Sequence, residues 1–102
     1  MAQDLTSQQK KFLRGLAHPL KPLVLVGKNG LTEEVLASAE AALARHELIK
    51  VKFLEHKDRE DKLRIVEAIC RQVRCFRAGM IGHIAILYRQ ATKPSRQKIK
   101  LP

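Results

Sequence analysis

Aromatic side chains are scarce in this sequence, which has three phenylalanines, one tyrosine and no tryptophan among 102 residues. A sheet that stacks several nucleotide bases on its rings needs more than that. Phe12 and Phe53 fall on predicted core faces, and Phe76 and Tyr88 fall in predicted strands. Cysteine is rarer still. Cys70 and Cys75 lack the C-x-x-C spacing of a redox or metal site and read as buried apolar thiols. His18, His46, His56 and His83 are scattered, with no pair at a metal-binding spacing, so neither metal nor cofactor is expected. No apolar run approaches the roughly 20 residues that a bilayer span needs. The start Met1-Ala2-Gln3-Asp4 has neither region of a secretory leader. A cytoplasmic protein that does not enter membranes is the expectation. No nucleophile-and-base arrangement is legible, and Asp58, Glu60 and Asp61 sit at a predicted helix start, where acids complement the helix dipole. No enzymatic activity is expected.

Acid is also in short supply. Ten Asp and Glu face twenty Lys and Arg, for a formal charge of +10, while apolar residues make up 45%. That apolar share is ordinary for a folded protein, and the length suits one domain with one core. The charge points to a polyanionic partner: nucleic acid, an anionic membrane surface or an acidic protein.

Along the chain, Thr6 can cap a first helix, with Gln9 completing a capping box and Leu5 available as a staple. Phe12, Leu13, Leu16 and Ala17 form its apolar face; Lys10, Lys11 and Arg14 lie elsewhere around it, and His18-Pro19 ends it. Leu23 to Val26 reads as a short buried strand, closed by Gly27-Lys28-Asn29-Gly30. Thr32 can cap a second helix with core positions Val35, Leu36, Ala39 and Leu43, running to about His46. Between Glu47 and Glu55, Ile49, Val51 and Phe53 alternate with Lys50 and Lys52, the period of a half-buried strand. Asp58 can cap a third helix carrying Leu63, Val66, Ile69, Cys70 and Val73, with Lys62, Arg64, Arg71 and Arg74 around the rest. Phe76 to Ile81 and Ile84 to Tyr88 read as strands joined through Gly82-His83. Gly79 inside the first of them points to a bulge or a close approach. Residues 1–90 thus make one domain, and the acid-free stretch 91–102 reads as a mobile basic tail.

The order α-β-α-β-α-β-β predicts an α/β fold of the two-layer α+β kind, a four-stranded mixed sheet with helices packed against it. If all the helices shared one face, the other would present Lys50 and Lys52 to solvent.

The most informative local element is Gly27-Lys28-Asn29-Gly30, between a strand and a helix. Its glycines let a phosphate approach the backbone, and the helix start beyond offers free N–H groups. The same four residues also suit a plain strand-to-helix turn. Glu33 and Glu34 follow in the first helical turn and would repel a phosphate. Asn29 stands where a P-loop needs Ser or Thr, and Glu33 stands where a dinucleotide fingerprint needs its third glycine. Lys10, Lys11, Arg14, Lys21, Lys28, Lys50 and Lys52 form a candidate basic surface, although each alone also fits a solvated face.

Three stretches resemble the CRM domain, the chloroplast RNA splicing and ribosome maturation module, in its single-domain bacterial YhbY-like form. They run from Leu16-Ala17-His18-Pro19-Leu20-Lys21-Pro22 into Val24 to Thr32, then His46 to Lys52, then Ile84 to Arg89. The resemblance implies a four-stranded mixed sheet like that of the C-terminal domain of translation initiation factor three. It also implies RNA binding, with Gly27-Lys28-Asn29-Gly30 as a GxxG loop likened to the backbone clamp of KH domains. Single-domain members resemble assembly factors of large ribosomal subunit precursors, so ribosomal RNA is the implied partner. The stretch Arg71 to Gly79 is the least family-like, and its Arg71, Arg74 and Arg77 raise the prospect of an additional RNA contact. A different reading of the charge is a protein-interaction adaptor for an acidic partner.

Overall fold

A computed structural model describes residues 4–102; Met1 to Gln3, part of the start on which the expectation about a leader rests, lie outside them. Helix α1 (Ser7–Ala17) begins at Thr6, where Gln9 N donates to Thr6 Oγ1 at 3.1 Å and Thr6 N donates to Gln9 Oε1 at 3.0 Å. The capping box is therefore complete, and it satisfies two of the N–H groups that a helix start leaves unpaired. Strand β1 (Val24–Val26) leads to α2 (Glu33–His46), capped by Thr32 Oγ1, which accepts from Val35 N at 3.1 Å. Strand β2 (Leu48–Phe53) is followed by α3 (Arg59–Val73), capped by Asp58, and by the hairpin of β3 (Phe76–Ile81) and β4 (Ile84–Tyr88).

The four strands form one sheet in the order β1-β2-β4-β3, with β1 parallel to β2 and the other pairs antiparallel. Ala78 is an extra residue on β3, since Arg77 pairs with Leu87 and Gly79 with Ile86. The bulge expected at this glycine is present, and so is the close approach. A Cβ built on Gly79 would stand 2.6 Å from Arg14 Cδ, so only glycine lets the stem of Arg14 cross the strand here.

Alternation along β2 divides the hydrophobic residues between two clusters. Ile49, Val51 and Phe53 face α2 and α3 in the larger one, with Val35, Ala39, Leu43, Ile65, Val66 and Ile69. Leu48 faces the other way, into a second cluster with Leu13, Ala17, Ala78, Ile86 and Tyr88. Helix α1 thus covers the sheet face opposite α2 and α3, and the helices do not all share one side. Full burial of Leu13 alone contributes about 1.5–3 kcal/mol. The apolar stripe of α1 is narrower than expected, because Phe12 and Leu16 remain 39% and 40% exposed. In α3, Ile65 joins the core and Lys62 is buried, whereas Leu63 and Cys70 are half-buried. Cys75 Sγ lies 3.6 Å from Cys70 Sγ, and this contact together with burial pushes the Cys75 thiol up.

Residues 91–102, expected to be a mobile tail, are seated on the domain. The buried Glu47 carboxylate accepts from Ala91 N (2.7 Å), Lys98 N (2.6 Å) and Ile99 N (3.2 Å), and Ile99 and Leu101 pack against the second cluster. Arg89 forms a bidentate pair with Glu40 at 2.7 and 2.8 Å, and this hydrogen-bonded guanidinium holds the Glu40 carboxyl below its usual range.

Candidate nucleic-acid interface

Residues 27–30 project from the end of β1 at the same end of the sheet as the β3–β4 turn, because β1 and β2 are parallel and Lys52 pairs with Ile84. The bend is closed by Gly30 N donating to Gly27 O at 3.0 Å. Gly30 has φ +65°, a left-handed conformation that side chains disfavour, and it is buried beneath the His56 ring. Gly27 has open space where a Cβ would stand. Backbone at Gly27 is therefore approachable from outside, while Gly30 meets the demands of the turn itself.

His56 is the residue that sequence reasoning missed. Its Nε2 lies 2.8 Å from Lys28 O, and as the protonated ring nitrogen it donates to that carbonyl. His56 itself has φ +56°. A histidine in a connecting loop carries no sequence signal for such a contact, which depends on β1 and β2 ending side by side.

The shallow hollow beside the loop, about 280 Å³, is lined by Lys28, Asn29, the loop glycines, Thr32 and Glu34. Lys28 and Asn29 are exposed, and Glu34 brings the expected negative charge into the same hollow. One cation and one carboxylate nearly cancel there. The remaining attraction for a phosphate comes from backbone N–H groups and the start of α2.

The other candidate residues fall into separate places. Lys10 and Arg14 line a cleft between α1 and β3 at the opposite edge of the sheet from the loop. Lys11 is exposed on α1, and Lys21 is exposed in the connector at the far end of β1 from the loop. Lys50 and Lys52 do share the sheet face of α1. Lys50, however, is half-buried and donates from Nζ to His18 O (3.1 Å) and Leu20 O (2.9 Å), closing the C-terminal end of α1. Lys52 is exposed, in a row of cross-strand partners running Leu25, Lys52, Ile84, Ile81, which α1 leaves open. Arg71 and Arg74 lie at the end of α3, roughly 18 Å or more along the helix from Arg59. Arg77 alone of that trio lines the cleft with Arg14. Among the described residues no group of His, Cys, Asp and Glu is placed to hold a metal ion.

Comparison with known proteins gives a consistent picture. The CRS1 / YhbY (CRM) domain family matches residues 5–89. A Haemophilus influenzae protein named RNA-binding protein is 52% identical over 99 residues, covering 96% of this chain and 95% of its own. A Bacillus subtilis protein named Probable RNA-binding protein YqeI is 37% identical, covering 96% and 99%. The solution structure of Staphylococcus aureus SAV1595 superposes with a TM-score of 0.82 at 33% identity, over 96% of this chain and 99% of that one.

Proposed function

We propose, from the premise that this chain belongs to the CRS1 / YhbY (CRM) domain family, that it binds RNA and performs no chemistry of its own. The phosphate backbone is gripped at Gly27 to Gly30, and Lys52 and the cations of α1 extend the contact. Within that reading the protein acts on ribosomal RNA in precursors of the large subunit. The observation that carries it is the loop: a bend pinned from behind by His56, with the outer face of Gly27 open and a helix start beside it. Relatives named as RNA-binding across nearly the whole chain support it.

The test is binding of a single-stranded RNA over a salt series. Five neutralised phosphates give a log–log slope of about −3.5. Lys28→Glu is expected to weaken binding and flatten the slope while leaving the melting temperature unchanged, since the Lys28 side chain is exposed and forms no hydrogen bond or ion pair among the described residues. A chain whose cellular complexes survive ribonuclease would instead be an adaptor for an acidic protein. Sedimentation with large-subunit precursors, lost in the Lys28→Glu variant, is the outcome expected of the ribosomal role.

A further inference from the structure

More cations converge along the β3 edge of the sheet than at the glycine loop. A cleft of about 460 Å³ runs along β3, with α1 on one side and α3 on the other, and its lining carries Lys10, Arg14, Arg59, Lys62 and Arg77 but no acid. These cations come from three elements, and the fold sets two of them in place. Arg14 crosses β3 over Gly79 and donates from Nη1 to Ala78 O at 3.3 Å. Lys62 is 8% exposed, and its ammonium donates to Gly82 O (2.7 Å) and to His83 Nδ1 (3.2 Å). An ammonium has three donors, so one remains. Of the five, only Lys10 has an acidic partner among the described residues: Asp4, at 3.7 Å and 71% exposed on its side chain.

Cations along an edge strand also protect it from pairing with another chain. One or two charges suffice for that purpose. Lys10 and Arg77 also border an adjoining hollow that holds Asp4 and Glu67, which offsets part of this charge; the repulsion left among the five is a cost that an anionic ligand removes. Geometry supplies the rest. The open row Leu25, Lys52, Ile84, Ile81 crosses the sheet from the strand that ends in the glycine loop to the turn at Gly82, which lines the cleft. Three strand spacings, about 14 Å, separate the two ends of that row.

We propose that this cleft is a second site for the phosphate backbone, and that an RNA strand held at Gly27 to Gly30 crosses Lys52 and enters it. The inference rests on the RNA-binding reading above and adds the path and a second point of attachment.

Arg59 and Arg77 are exposed and, among the described residues, their side chains form no hydrogen bond or ion pair, so they are the residues to change. The paired variant Arg59→Glu/Arg77→Glu is compared with Lys93→Glu/Arg96→Glu, which makes the same change in net charge at the far end of the sheet. The probe is a single-stranded RNA long enough to span both sites. The cleft variant is expected to lose at least about tenfold in affinity and about 1.4 in salt slope, the value for two lost phosphate contacts. The distal variant is expected to stay within about twofold. Arg59→Gln/Arg77→Gln, with less charge change, repeats the measurement should the glutamate pair unfold the chain. Equal affinities for cleft and distal variants, with the wild-type chain still binding RNA, would overturn the cleft while leaving the loop reading intact. Failure of the wild-type chain to bind RNA at all overturns both.

Discussion

The two glycines that bound the loop are chemically identical and do different work. Gly30 is held at φ +65° with His56 Nε2 3.3 Å from where a Cβ would be. Gly30→Ala therefore meets both backbone strain and a steric neighbour, and about 1–2 kcal/mol of stability is expected to be lost in denaturant unfolding. Gly27 has neither constraint, so Gly27→Ala is expected to unfold within about 0.5 kcal/mol of the wild type. Its methyl group would nevertheless stand where a phosphate approaches the backbone, and RNA affinity is expected to fall. Full affinity in the Gly27→Ala variant would count against a backbone contact at that residue, whatever Gly30→Ala does. His56→Ala belongs between these two, because it removes the ring that holds Lys28 O without touching the outer face of the loop.

At the level of elements, what could be read in advance was local. Thr6, Thr32 and Asp58 cap the helices they were expected to cap, and Gly79 marks the bulge, because these signals lie within a few residues of their targets. The side of the sheet taken by α1 was not legible, since an amphipathic helix shows that it covers something and not which face it covers. The cleft was illegible for the same reason: Lys10, Arg59 and Arg77 are neighbours only once α1 and α3 lie on opposite faces of β3. Charge alone made residues 91–102 read as a free tail. Its anchor is Glu47, a single carboxylate 44 to 52 residues away in sequence, placed at φ +62° as α2 ends. Glu47→Gln removes the negative charge and leaves one neutral acceptor oxygen, with an amide NH2 in place of the other. It is expected to speed hydrogen exchange at Ala91, Lys98 and Ile99 and to cost about 1–3 kcal/mol. Unchanged exchange there would mean that the packing of Ile99 and Leu101, with the hydrogen bonds from Lys98 Nζ to Arg45 O and from Gln9 Nε2 to Pro102 O, holds the segment without the Glu47 charge.

For the whole molecule, a formal charge of +10 acts within a radius of gyration of 12.8 Å. Self-repulsion at that density opposes the compact state, and salt screens it over a Debye length of about 10 Å at 0.1 M. Salt has the opposite effect on the complex, because every phosphate contact that displaces counterions becomes weaker as salt rises. Between roughly 50 and 200 mM salt, five contacts on a single strand lose about a hundredfold in affinity. The free protein is expected to melt at the same temperature or higher over that range. The pair of measurements separates two explanations of any salt-induced release of RNA. Release with an unchanged or raised melting temperature reports lost phosphate contacts; release accompanied by a falling melting temperature would report loss of the fold and remove the basis for counting contacts from the slope.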